Sequence, residues 1–185
     1  MKQINLPNRL SLLRVLLVPV LVACMYIPGT AGCIVSLIIF SGAALTDFFD
    51  GYIARKRGIV TNLGKFIDPV ADKLLVISAM IMLVNRGMLA AWVVVLVLFR
   101  ELAIDSLRLV ASKNGTVIAA SPYGKMKTVI QIITVILLLC TSFFPWLNII
   151  AQAFIWLTIA ATLWSGVDYF KKNGHVLFQD EEKNK

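Results

Sequence analysis

The chain has 185 residues, of which 59% are hydrophobic and 15% charged. The length suits one domain, but a soluble domain of this size needs more polar surface, and the apolar excess lies in long runs rather than scattered positions. The net charge of +8 would suggest nucleic acid in a soluble protein. Here the basic residues flank apolar runs, which excludes nucleic acid as a partner and points to a bilayer with anionic lipid.

Taken in chain order, six segments have the length of a membrane helix, close to about 20 residues each. The first runs from Leu10 to Ile27 and stops at Pro28-Gly29. Lys2 to Arg14 and the apolar stretch ending at Cys24 have the outline of a lipoprotein-type signal. The run continues past Cys24 and more spans follow, so a retained helix is expected. The second segment is Ala31 to Ala54. The third begins at Pro69, which suits a first-turn position, and ends near Val84. The fourth is Leu89 to Val110. The fifth is Tyr123 to Phe144, ended by Pro145, and the sixth is Leu147 to Phe170. The expected fold is all-α: a polytopic membrane bundle of six transmembrane helices over residues 1–170, with a polar, mobile tail over 171–185.

Cys24, Cys33 and Cys140 sit inside apolar runs without ligand spacing, and read as small buried hydrophobes rather than a disulfide framework. His175 falls in the polar tail and reads as solvated. Trp146, Trp164 and Tyr169 fit interfacial belts. Three loops, around Pro28-Gly29, Asn85 to Met88 and Ser142 to Trp146, hold only Arg86 of the 18 Lys and Arg residues. The positive-inside rule puts those loops outside, and both termini and the loops after the second and fourth helices in the cytoplasm.

The segments Asp47-Phe48-Phe49-Asp50-Gly51-Tyr52-Ile53-Ala54-Arg55 and Gly64-Lys65-Phe66-Ile67-Asp68-Pro69-Val70-Ala71-Asp72 carry the chemistry. On a helix, Asp47 and Asp50 project about 60° apart on one face. Asp68 and Asp72, four apart, also share a face. A short connection from Lys56 to Ile67 lets the two helices pack as antiparallel neighbours, so that four carboxylates converge at the cytoplasmic surface. Converging carboxylates repel unless cations or protons compensate. Hard oxygen ligands suit Mg²⁺ or Mn²⁺, and two such ions about 4 Å apart can clamp a pyrophosphate. Gly51 and Ala54 leave room for a phosphate or nucleotide at the helix backbone. Gly64 does the same or turns the chain. The competing reading is that the aspartates cap helices and pair with Arg55, Lys56, Arg57 and Lys65; capping is most plausible for Asp68, just before Pro69.

The pattern Asp-x-x-Asp-Gly-x-x-Ala-Arg, eight residues, then Gly-x-x-x-Asp-x-x-x-Asp resembles the signature of the CDP-alcohol phosphotransferases, and every signature position matches. The resemblance implies transfer of a phosphatidyl or similar group from a CDP-linked donor to an alcohol, with release of CMP. It implies metal binding by Asp47, Asp50, Asp68 and Asp72, with Asp72 also the general base. It implies a CDP site lined by Gly51, Ala54, Arg55 and Gly64, and a homodimer in the bacterial cytoplasmic membrane with its site facing the cytoplasm.

The signature does not name the acceptor. Glu101, Asp105 and Arg108 form one stripe of the fourth helix, beside Arg100, and charges inside a span should face the bundle interior. Arg100 and Glu101 read equally well as an internal ion pair. Arg108, Lys125 and Lys127 make a cationic pocket suited to an anionic acceptor, against the alternative of positive-inside anchoring. Pro7 to Arg14, Arg100-Glu101 and Gly124 to Thr128 also resemble segments of bacterial family members that use sn-glycerol 3-phosphate. The expected reaction joins that acceptor to the phosphatidyl group of CDP-diacylglycerol. Asn8 is a candidate nucleotide contact or an N-cap, and Arg14 a phosphate contact or a snorkelling cation. A sister transferase using inositol phosphate or serine is the nearest rival. A cation transporter or membrane scaffold fits less well, because transporter sites lie near the bilayer midplane.

Overall fold

The structure, a computed structural model, describes residues 6–57, 62–113, 118, 121–174 and 176; within its helices the side chains of 6–9, 47–57 and 62–66 lie outside that description. Among the described residues six α-helices follow one another: α1 Leu6–Met25, α2 Gly29–Arg57, α3 Asn62–Asn85, α4 Ala91–Lys113, α5 Pro122–Cys140 and α6 Asn148–Asn173. A 3₁₀ turn, Pro145–Leu147, precedes α6. There is no strand among the described residues, as the apolar runs led one to expect.

Among the described residues three helical stretches are long and apolar enough to cross a membrane: Gly29–Thr46, Pro122–Cys140 and Pro145–Asn173. In α3 the charges of Asp68, Asp72 and Lys73 interrupt the apolar run, and in α4 those of Arg100, Glu101, Asp105 and Arg108 do so. The surface is inverted relative to a water-soluble fold. Phe99, Leu109, Ile149 and Trp156 are exposed, whereas Arg14, Glu101, Lys127, Thr158 and Thr162 are buried. That arrangement suits lipid, where polar side chains gain by turning inward.

Several boundaries differ from the sequence reading. The third helix does not begin at Pro69; it begins at Asn62, and Pro69 lies inside it. Pro69 gives up one intrahelical bond, which membrane helices tolerate when neighbours re-satisfy the backbone. Pro19 lies inside α1 in the same way. Asp68 is therefore a helix-interior residue and cannot serve as an N-cap. The fifth helix ends at Cys140, before Pro145 is reached. Its last turn is closed by the Phe144 N–H on the Cys140 carbonyl at 2.9 Å, and Pro145 opens the 3₁₀ turn instead. The sixth helix continues through Lys171 and Lys172 to Asn173, three residues into the stretch read as tail. Two lysines in its last turn complement the negative end of the helix dipole. Lys172 also pairs with Asp168 at 2.7 Å. His175 lies outside the described residues.

The chain forms two compact units, one of residues 1–89 and 135–151, the other of 90–134 and 152–185. In the first, α1 packs on both α2 and α3, which also touch each other. The α1–α2 corner turns at Gly29, whose φ of +76° strains any residue with a Cβ. A Cβ at Gly32 would fall 2.1 Å from the Ile27 carbonyl oxygen, so only glycine allows this close approach. Arg86 reaches into the corner. Its Nε donates to the Met25 carbonyl at 3.1 Å and its Nη2 to those of Ile27 and Gly29 at 2.5 and 3.4 Å. The Met25 carbonyl, at the end of α1, is one of those that a helix leaves without an intrahelical partner. Cys33 is not a plain hydrophobe either: its sulfur meets Arg86 Nη1 and accepts from Ser142 Oγ at 3.0 Å. All three cysteines are free thiols, with Cys33 buried and Cys24 and Cys140 half-buried.

Arg86→Ala is expected to cost roughly 2–4 kcal/mol, since several charge-assisted bonds vanish together. Arg86→Lys should recover less than half, because an ammonium cannot fan across the same acceptors. Unfolding midpoints in mild detergent check this; a midpoint unchanged in the alanine variant would refute it.

In the second unit, α5 and α6 meet along a polar seam. Thr134 Oγ1 lies 2.8 Å from Thr158 Oγ1 and also donates to its own helix at the Ile130 carbonyl. Gln131 on α5 and Thr162 and Ser165 on α6 are buried as well. Trp92 and Trp156 tie α4 to α6, their rings 6.4 Å apart. Ile104, Leu107 and Tyr169 make a small apolar core against which Ile118 packs.

Candidate active site

Asp47 and Asp50 fall on the helical backbone of α2, as do Gly51, Ala54 and Arg55; Gly64 and Asn8 are helical in α3 and α1. The i, i+3 spacing of Asp47 and Asp50 thus holds on the backbone, while these side chains lie outside the described ones. Asp68 and Asp72 stand on one face of α3, both half-buried. One face of α1 answers them. Ser11 Oγ donates to Asp68 Oδ1, and Arg14 Nη1 donates to Asp72 Oδ1 at 2.9 Å. Ser11 and Arg14 are three apart on α1, Asp68 and Asp72 four apart on α3, so the two polar pairs meet turn for turn.

Arg14 is only 2% exposed, and a buried guanidinium needs a countercharge. Asp72 supplies it, while 38% of its own side chain stays accessible. The carboxylate is therefore tied to α1 while part of its surface stays accessible. Arg14, a candidate for the acceptor phosphate, pairs with Asp72. Ser11 was missed. Its signal was present, because Ser11 and Arg14 are polar residues at helical spacing within an otherwise apolar run.

No group of three or more metal-ligating side chains occurs among the described residues, which include two of the four aspartates. Those two fit a hard divalent cation in kind: oxygen donors one helical turn apart, steadied from behind by a hydroxyl and a guanidinium.

The remaining candidates belong to the second unit. Lys127 is buried, with its ammonium on Glu101 Oε1. Arg100 Nη1 donates to the same oxygen at 3.2 Å. Arg108 Nε donates to the Tyr169 hydroxyl at 2.8 Å, and its guanidinium lies 5.3 Å from that ring's centre. Tyr169 is 1% exposed, which corrects its reading as an interfacial residue. Trp146 and Trp164 remain exposed. Lys125 is exposed at the start of α5.

The model of one protein family, described as CDP-alcohol phosphatidyltransferase, matches residues 4–164. The chain belongs to the CDP-alcohol phosphatidyltransferase family. It is 40% identical over 94% of its length, and 97% of the relative's, to the CDP-diacylglycerol–glycerol-3-phosphate 3-phosphatidyltransferase of Bacillus subtilis (strain 168). It is 42% identical to a probable phosphatidylglycerophosphate synthase of Mycobacterium tuberculosis, covering 89% of this chain and 79% of that one. A Rickettsia felis enzyme named like the Bacillus one is 34% identical, over 90% of this chain and 94% of its own. CDP-alcohol phosphatidyltransferases are in general divalent-metal dependent, which agrees in kind with the carboxylate donors of α3.

Proposed function

We propose that the chain transfers the phosphatidyl group of CDP-diacylglycerol to sn-glycerol 3-phosphate, forming phosphatidylglycerophosphate and CMP. The observation that carries this reading is the near full-length similarity to the Bacillus enzyme, whose name states that donor class and acceptor. The cationic side chains of the second unit, Arg108, Lys125 and Lys127, agree with an anionic acceptor.

In this reading Asp47, Asp50, Asp68 and Asp72 hold two divalent ions, Mg²⁺ or Mn²⁺. Bound there, such ions neutralise the pyrophosphate and make CMP a workable leaving group. Gly51, Ala54, Arg55, Gly64 and Asn8 line the CDP site. A hydroxyl oxygen of glycerol 3-phosphate forms a bond to the phosphatidyl phosphorus, the bond from that phosphorus to CMP breaks, and CMP leaves with its electron pair. The hydroxyl proton passes to the Asp72 carboxylate. Arg14 holds that carboxylate in place through Oδ1. A carboxylate so paired is a weak base, so proton transfer accompanies attack rather than preceding it. Six spans with both termini cytoplasmic put this chemistry at the cytoplasmic face of the bacterial membrane, where both soluble substrate and product are found. A homodimer embedded in lipid completes the proposal.

The test is CMP release from CDP-diacylglycerol with each acceptor in turn. Glycerol 3-phosphate is expected to support turnover at least about 100-fold above serine, since a pocket built for an anion leaves its cations unpaired with a neutral or zwitterionic substitute. Turnover with serine or inositol phosphate, and none with glycerol 3-phosphate, would overturn the reading.

A further inference from the structure

Arg108 is held differently from Arg14, Arg100 and Lys127. Those three rest on carboxylates, Arg14 on Asp72 and the other two on Glu101. The hydrogen bond that holds Arg108 goes instead to a neutral phenol: Nε donates to the Tyr169 hydroxyl at 2.8 Å. The ring of the same residue lies under the guanidinium, with its centre 5.3 Å from Cζ. A carboxylate in this place would offset the charge of the arginine. A phenol and a π-face fix the direction of the group and leave its charge in force.

Tyr169 is itself firmly seated. It is 1% exposed and packs with Ile104 and Leu107 of α4, a cluster against which Ile118 also packs. Its carbonyl accepts from Asn173 Nδ2 at 3.0 Å, which closes the last turn of α6. The end of that helix carries partial negative charge, which favours a cation nearby. Arg108, by contrast, is only half-buried, and its Nη1 and Nη2 carry no hydrogen bond among the described residues. Those two nitrogens form one of the edges by which a guanidinium takes an oxyanion through parallel N–H groups. One nitrogen is thus anchored to a buried residue while the other two stay available. A long side chain ordered in advance gives up less rotamer freedom when a ligand binds.

We propose that Tyr169 is a positioning residue for acceptor binding: its hydroxyl and ring order Arg108 before the acceptor arrives, without neutralising it. This rests on the functional reading above, in which Arg108 serves the anionic acceptor, and adds to it a residue of α6 that touches no substrate. The ring supplies packing and the hydroxyl supplies direction, so substitution can separate the two contributions.

The experiment measures CMP release with glycerol 3-phosphate varied at saturating CDP-diacylglycerol, and the converse. It compares the wild type, Tyr169→Phe, Arg108→Gln and the double variant. Tyr169→Phe keeps the ring and loses only the hydroxyl. It is expected to raise KM for glycerol 3-phosphate about 3- to 10-fold, with kcat and KM for CDP-diacylglycerol within about twofold of the wild type. Tyr169 acts through Arg108, so its hydroxyl should count for little once the arginine is gone. The double variant should therefore match Arg108→Gln within about twofold. An unchanged KM for glycerol 3-phosphate in Tyr169→Phe, equal rises in both KM values, or a further loss beyond about twofold in the double variant would overturn the assignment. If the wild type releases no CMP with glycerol 3-phosphate, the functional reading itself falls; if it does and Tyr169→Phe matches it, only this inference falls.

Discussion

Asp72→Asn is expected to lower metal-dependent CMP release by roughly 10²- to 10⁴-fold, the usual contribution of a positioned general base. The substitution changes little else. An asparagine oxygen still accepts from Arg14, so the bridge from α1 to α3 keeps its shape. Lost are the negative charge and the ability to take a proton. The cost to folding should be smaller than for a fully buried pair, because Asp72 is 38% accessible on its side chain and water shares in solvating Arg14's partner. Two measurements separate the effects: CMP release at saturating substrates, and the unfolding midpoint of the same preparation. Chelation should abolish wild-type activity and added Mg²⁺ or Mn²⁺ restore it, while the variant stays low in excess metal. Residual activity within tenfold of the wild type would refute the base assignment.

The second large effect is expected at the Glu101–Lys127 pair. Both side chains are almost wholly enclosed, at 11% and 4% exposure. Removing one member of such a pair leaves a charge buried with too little compensation, typically at about 3–5 kcal/mol. Lys127→Met and Glu101→Gln should each lower the unfolding midpoint markedly. The double variant should be more stable than the sum of the two losses predicts, because neither charge is then stranded. Strict additivity would show that the two residues do not act as a pair.

Much of this fold was legible in the sequence, for a physical reason. Apolar runs of membrane length are distinctive, so the helices and their order could be read directly. The ends were harder. The polar stretch before Pro69 hid the start of α3, because a proline is normally a first-turn residue, and nothing local shows that neighbouring helices will tolerate one inside. The early end of α5 at Cys140 was hidden in the same way by Pro145.

The candidate aspartates stand out in the sequence by spacing alone, as i, i+3 and i, i+4 carboxylates beside glycines. Their partners do not. Ser11 and Arg14 lie more than 50 positions from Asp68 and Asp72. Only the packing of α1 on α3 brings them together. Arg108 and Tyr169 are likewise distant in sequence, and a tyrosine near the end of an apolar run has an ordinary explanation at the interface. Charge in α4 was readable as inward-facing; which cations would meet Glu101 depended on helix rotation that no spacing rule supplies.

The apolar exterior, with polar side chains turned inward, has a thermodynamic consequence. A soluble core is held by moving apolar surface out of water, which gives unfolding a large heat-capacity change and a weakening on cooling. Here the outward apolar surface faces lipid both before and after the helices separate, and the cohesion comes from close packing and from bonds such as those of Thr134, Glu101 and Arg14. The free energy of helix association should therefore vary gently with temperature. A single polar contact then counts for a larger share of the total than the same contact would in water-soluble proteins of this size.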